Sequence, residues 1–187
     1  MKRMNAERTT RNEPTIRLII SDIDGVWTDG KIIYVGDTRE IKEFNVRDGL
    51  AVKLAQKAGI RVAVITSRRS KALERRCKEL GVDDLVQSAR DKLHETRALA
   101  TKLGIALEEI CYVGDDLPDL APISVAGRSA APSDSAPEVL RAVVWPLAAK
   151  GGCGAFRELV ERLLKERGDW EKIVAEFHGA KITTPST

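Results

Sequence analysis

Short aliphatic runs, bounded by glycines and polar residues, constrain this 187-residue chain more than any other feature. They fall at Ile16–Ser21, Arg61–Thr66, Ile110–Val113, Ile123–Ala126 and Ala142–Trp145. Near-continuous hydrophobicity over so few residues is what a parallel strand needs when both of its faces are covered. Between these runs, Leu50–Ala58, Lys71–Leu80 and Leu93–Leu103 carry apolar residues at helical spacing, and Gly59, Gly81 and Gly104 stand where helices end. Strands alternating with helices predict an α/β fold, a Rossmann-like, mainly parallel sheet with helices on both faces. In such sheets ligands bind beyond the carboxyl ends of the strands, so candidate catalytic residues should come directly after strands.

One segment breaks the alternation. Lys31–Val35 and Glu40–Phe44 flank the turn Gly36-Asp37-Thr38-Arg39, which reads as a β-hairpin inserted after the first strand. Its first arm, Ile32-Ile33-Tyr34-Val35, is apolar on both faces, and an exposed ribbon of that kind invites aggregation. Burial against a second subunit removes the liability, which predicts an oligomer; folding back onto its own domain is the alternative.

Composition narrows the partners. A formal charge of +3 and an aromatic content of 4% give no basis for nucleic-acid binding. No apolar run approaches the ~20 residues needed to span a bilayer. The polar start MKRMNAERTTRNEP lacks the apolar stretch of a secretory signal and reads as a disordered leader over residues 1–14. A single domain is expected over 15–178, with a flexible tail over 179–187. Cys77, Cys111 and Cys153 are odd in number and widely spaced, which argues against a disulfide framework or a zinc site and suits a reducing cytoplasm.

The polar residues fall where the sheet rule demands. The first run ends in Ser21-Asp22-Ile23-Asp24-Gly25, and two carboxylates so close to a buried strand need something to neutralise them. A hard cation such as magnesium, which takes oxygen ligands, would do so. Ile110–Val113 ends in Gly114-Asp115-Asp116, with Asp119 one helical turn later. Parallel strands bring their carboxyl ends to one edge, so the two acidic clusters can meet around one metal. Thr66 closes its own run with a hydroxyl. Lys92 opens a helix and, taken alone, reads as a solvated surface lysine.

In order, Asp22-x-Asp24, Thr66, Lys92 and Gly114-Asp115-Asp116-x-x-Asp119 resemble the four motifs of the haloacid dehalogenase-type phosphohydrolases, over roughly residues 16–165. DIDGVWTDG, the hairpin, FNVRDG, Arg68, Arg76, YVGDD and GGCGAFRE together resemble the 3-deoxy-D-manno-octulosonate 8-phosphate phosphatases of lipopolysaccharide biosynthesis. That family lacks a cap domain, forms homotetramers through the hairpin, and closes each site with parts of a neighbour. The resemblance implies Asp22 as nucleophile and Asp24 as general acid and then base. It implies Asp22, the Asp24 carbonyl and Asp115 as ligands of Mg2+, with Thr66 and Lys92 holding the transferred phosphoryl group. Asn45, Val46, Arg47, Asp48, Gly49, Lys53, Arg68 and Arg76 match further substrate contacts, although Arg68 and Arg76 also read as ordinary solvated helix charges. Two departures stand out: Thr66-Ser67-Arg68 replaces the usual Thr-Gly-Arg, and Gly151-Gly152-Cys153-Gly154 the usual Gly-Gly-Arg-Gly.

The implied reaction is attack by Asp22 on a phosphate monoester, with an aspartyl-phosphate that water then hydrolyses. For Asp24 to begin protonated, its pKa must be raised, and crowding by other carboxylates is the expected cause. A signalling receiver domain is disfavoured because its acidic pair and its phosphoacceptor would sit on different strands. A non-catalytic oligomerisation domain would have lost the nucleophile or a ligand. Among substrates, the nine-carbon keto acid 9-phosphates are the alternative. Asn45–Gly49 with Arg68 and Arg76 favours the eight-carbon acid, because extra guanidinium groups suit a substrate bearing both phosphate and carboxylate.

Overall fold

The computed structural model describes residues 15–36 and 39–179. The leader over 1–14, the turn residues Asp37 and Thr38, and the tail from residue 180 lie outside them. Six strands form one sheet in which every pairing is parallel: β1 (Leu18–Ser21), β4 (Arg61–Ile65), β5 (Asp84–Val86), β6 (Ile110–Val113), β7 (Arg128–Ala131) and β8 (Trp145–Pro146), in the order β5-β4-β1-β6-β7-β8. The central strand β1 pairs in register with both neighbours, Ser21 opposite Val64 on one side and Val113 on the other. The residues just past these three strands therefore emerge side by side along one edge.

Alternate strand residues feed two buried layers. Ile19, Val62, Val64, Cys111 and Val113 pack with α1 (Val46–Lys57), α2 (Lys71–Leu80) and α6 (Ala155–Glu166). Leu18, Ile20, Ala63, Ile65, Ile110 and Tyr112 pack on the other face with α3 (Lys92–Leu103), α4 (Leu120–Ile123) and α5 (Pro137–Ala142). This two-sided burial is why the runs lack polar alternation, and each fully buried aliphatic side chain contributes ~1.5–3 kcal/mol. A last helix, α7 (Trp170–Phe177), packs its Ile173 and Trp170 against the first layer. The guanidinium groups of Arg128 and Arg162 each lie over the Trp145 ring, at 5.7 and 4.5 Å from its centre.

Two expected strands are corrected. Ile123–Ala126 is not a strand: Ile123 ends α4, and the run packs over the sheet while the strand forms at Arg128–Ala131. Ala142–Trp145 divides between the end of α5 and the start of β8. The short strand β5 corresponds to none of the predicted runs. The hairpin is present, with β2 (Ile33–Val35) antiparallel to β3 (Arg39–Ile41) and Ile33 opposite Ile41. It does not bury its apolar arm on its own domain: Ile32, Ile33, Tyr34, Val35 and Ile41 are all exposed, Tyr34 at 70%.

Candidate active site

Beyond β1 the chain keeps its pairing for one more residue, with the Asp22 amide donating to the Val113 carbonyl at 2.9 Å. It then turns, and the amides of Val26, Trp27 and Thr28 all donate to the Ile23 carbonyl. Ile23 and Trp27 are buried in the core, Trp27 against Phe156 at 5.2 Å between ring centres, so the loop that carries Asp22 and Asp24 is pinned from below. Gly25 sits at φ +91°, and a Cβ there would lie 2.0 Å from Asp115 Oδ2. Only glycine lets the loops after β1 and β6 approach so closely.

Asp22, Asp24, Thr66, Arg68, Lys92 and Asp115 line one cleft of about 270 Å3 at the carboxyl edge of the sheet. Lys92, which taken alone reads as a surface group, is 5% exposed. Its Nζ lies 2.7 Å from Asp22 Oδ2 and 2.7 Å from Asp119 Oδ1. Burial opposes its charge, but the two carboxylates outweigh that and hold its pKa above the ordinary value. It opens α3, whose N-cap Asp91 accepts from the His94 amide at 2.9 Å, so the helix start fixes the lysine's origin. Thr66 is buried, with its amide bonded to Val86 and its hydroxyl accepting from the Arg68 amide at 3.3 Å.

Carboxyl oxygens of Asp22, Asp115 and Asp119 lie within 4.8 Å of one another. Burial, then the Asp119 charge, pushes Asp22 up to about 6; burial, then Asp22 and Asp119, pushes Asp115 up to about 8. Asp119 is legible in the sequence but its role is not. It is fully buried, and its Oδ1 accepts from Lys92 and from the Tyr112 hydroxyl at 2.8 Å. Its Oδ2 accepts from the amides of Asp115 and Asp116 at 3.2 and 3.3 Å. By contrast, Asp22 Oδ1 is buried without a hydrogen-bond partner. Uncompensated negative charge and an orphaned carboxylate oxygen in a hard-oxygen site are what a divalent cation such as magnesium would complete. Asp22 and Asp115 have the free oxygens for it, whereas those of Asp119 are occupied. Asp116 is exposed and caps the turn Leu117–Asp119.

Asp24 stands apart from the acidic cluster. Carboxylate crowding falls on Asp22 and Asp115, while Asp24 faces cations: Oδ1 bonds to Lys42 Nζ, and Oδ2 lies 3.8 Å from Arg68 Nε. Sequence reasoning misses Lys42 and its neighbour Glu40. Their only signal is the alternation of charged and apolar residues through Arg39-Glu40-Ile41-Lys42.

The remaining candidates lie outside the cleft. Asn45 caps α1, accepting from the Arg47 amide at 2.8 Å and donating to the Gly152 carbonyl at 3.2 Å. Val46 and Arg47 are exposed. Asp48 is buried and accepts from the Arg157 amide at 2.8 Å, Lys53 donates to the Leu80 carbonyl at 2.6 Å, and the Arg76 guanidinium lies against Gly49. Arg68 precedes α2 whereas Arg76 lies within it, so the two point to separate places. At the Gly151–Gly154 departure, contacts come from the backbone: Gly152 donates to the Val26 carbonyl at 3.0 Å, and a Cβ on Gly151 would meet the Gly25 carbonyl at 2.1 Å. Cys153 is exposed.

Residues 32–127 match the haloacid dehalogenase-like hydrolase model. The chain is 42% identical over 154 residues to 3-deoxy-D-manno-octulosonate 8-phosphate phosphatase KdsC of Escherichia coli K12, covering 82% of this chain and 81% of that one. Its fold is similar to that of the corresponding phosphatase from Moraxella catarrhalis, solved with a magnesium ion, a phosphate ion and a KDO molecule. The TM-score is 0.85 at 38% identity, over 87% of this chain and 93% of the other. The cobalt-bound phosphatase from Haemophilus influenzae is similar with a TM-score of 0.81 at 37% identity, over 83% and 91%.

Proposed function

The chain belongs to the haloacid dehalogenase-like hydrolases and is a phosphoric monoester hydrolase, and from that premise we propose that it hydrolyses 3-deoxy-D-manno-octulosonate 8-phosphate through Asp22. The observation that carries the reading is the placement of the Asp22 carboxylate between Lys92 and Asp115, in a cleft of about 270 Å3 that suits a phosphoryl group but cannot enclose an eight-carbon acid.

Lys92 offsets the repulsion between the ester dianion and the attacking carboxylate. An oxygen of Asp22 bonds to phosphorus as the ester P–O bond breaks, and the departing alkoxide takes a proton from Asp24. Water then attacks the aspartyl-phosphate, gives its proton to Asp24, and frees Asp22 and inorganic phosphate. Thr66 and the backbone amides beside it hold the phosphoryl oxygens. Asp22, Asp115 and the Asp24 carbonyl would hold magnesium, which when bound supplies Lewis-acid charge stabilisation.

The sugar acid lies outside the cleft, where selectivity must come from charges on the rim. Arg68 is the nearest, and the exposed Val46 and Arg47 serve a neighbouring site in a homotetramer built on the exposed hairpin, on a segment that Asn45, Asp48, Gly49, Lys53 and Arg76 hold in place. We place the enzyme in the cytoplasm, in lipopolysaccharide precursor synthesis, as one domain over residues 15–178; its free thiols suit a reducing compartment.

A panel of phosphate esters, assayed by phosphate release, tests this. The eight-carbon acid should be preferred over nine-carbon keto acid phosphates and hexose phosphates, and Asp22→Asn should be inactive yet folded. Arg68→Ala should cost about tenfold or more on the sugar acid, as loss of one charge-assisted bond does, and far less on a small neutral ester. A clear preference for a nine-carbon substrate overturns the substrate while leaving the chemistry; an active Asp22→Asn overturns the chemistry.

A further inference from the structure

Strand β3 alternates. Arg39 and Ile41 face solvent, whereas Glu40 and the next residue but one, Lys42, turn inward. The Lys42 side chain is 2% exposed; its Nζ bonds to Asp24 Oδ1 and lies 3.2 Å from Glu40 Oε1. Glu40 Oε2 accepts from Arg68 at 2.6 Å, and Arg68 Nε faces Asp24 Oδ2 at 3.8 Å. Asp24, Lys42, Glu40 and Arg68 thus close a ring of alternating charge at the mouth of the cleft. An ammonium so well covered is costly unless paired: Glu40 supplies the opposite charge, while Asp24 accepts through Oδ1, which leaves Oδ2 to carry the transferred proton.

We infer that Lys42 is a positioning residue for the proton-transfer carboxylate, holding Asp24 toward the leaving oxygen while Glu40 holds Lys42. The inference rests on the reading of Asp24 as general acid. The two cations of the ring divide the work. Arg68 is the more exposed, with its side chain 37% accessible, and can exchange its Glu40 partner for a substrate. Lys42 cannot follow it, so Asp24 keeps one partner when Arg68 leaves. The hairpin is thereby part of the catalytic apparatus within its own chain.

Leaving groups give the test. An alkyl phosphate needs its departing oxygen protonated, whereas p-nitrophenyl phosphate does not. Lys42→Met should lose roughly ten- to a hundredfold in kcat/KM on an alkyl phosphate, the size of effect that a misplaced catalytic group produces. That ratio reports phosphoryl transfer and not the later hydrolysis of the aspartyl-phosphate common to both esters. The variant's kcat/KM on p-nitrophenyl phosphate should fall only a few-fold, and Lys42→Arg should recover much of the loss. Asp24→Asn, run alongside, sets the full discrimination between the two esters. Equal losses on both esters for Lys42→Met, beside a strong discrimination for Asp24→Asn, overturn the role of Lys42 alone. No discrimination for Asp24→Asn overturns the general-acid reading and the inference with it. Should Lys42→Met not fold, Glu40→Gln unseats the lysine without removing it: a preferential loss on the alkyl ester supports the inference, and an even loss overturns it.

Discussion

Lys92 Nζ and Asp119 Oδ1 meet at 2.7 Å in the protein interior, and the same ammonium reaches Asp22. Asp119 also holds Tyr112 and the amides of Asp115 and Asp116, so one carboxylate ties the loop after β6 to the start of α3 and, through Lys92, to the loop after β1. Asp119→Asn keeps the shape but puts an NH2 where two donors now find an acceptor. Breaking a buried charge pair on one side costs about 3 kcal/mol or more. Chemical denaturation should show a loss of that order, with activity falling alongside. Tyr112→Phe removes a neutral donor from an ionised acceptor and should cost about 1.5–3 kcal/mol. An Asp119→Asn protein as stable as its parent would refute this role for the carboxylate.

The crowded carboxylates make a pH statement. Burial and mutual repulsion raise Asp22 to about 6 and Asp115 to about 8, above the 3.8 of a free aspartate. Groups whose folded pKa is raised stabilise the fold at low pH, and that contribution is lost as pH rises through 6 and then 8. A divalent cation takes the place of those protons. The gain in Tm on adding magnesium to metal-stripped protein should therefore be small at pH 5.5 and larger at pH 8, as the linkage between binding and stability requires. Thermal melts at the two pH values, with and without the ion, check this; an equal gain at both contradicts it.

Much of the site is legible in the sequence because its chemistry is tied to strand ends. The runs that form β1, β4 and β6 are almost wholly apolar, and the polar residues just past them had to emerge at one edge. The misread segments share a different cause. Ile123–Ala126 is as apolar as a strand but is spent on covering the sheet, while β7, Arg-Ser-Ala-Ala, is built of small residues whose burial leaves little trace in the sequence. A short apolar run cannot by itself distinguish a helical turn from a strand. Lys92 reads as solvated because its partners lie at Asp22 and Asp119, distant in sequence. Lys42 escapes notice because nothing local says which face of a hairpin looks toward a cleft.

The exposed arm of the hairpin predicts assembly. Ile33 and Val35 make no demand on the core of their own chain, so replacing both with Asp should leave the isolated fold within about 0.5 kcal/mol per site. Light scattering should nonetheless show a smaller particle than the parent, with activity depressed. A parent protein that is monomeric and fully active at assay concentration would rule out the oligomer.

Gly25 carries a genealogical consequence. A single methyl group there would occupy the space of the Asp115 carboxylate, to which its three nearest atoms all belong. The step from working enzyme to folded but silent descendant is one codon wide. A gene duplicate carrying it would keep the scaffold and the projecting ribbon, free to be selected for assembly alone.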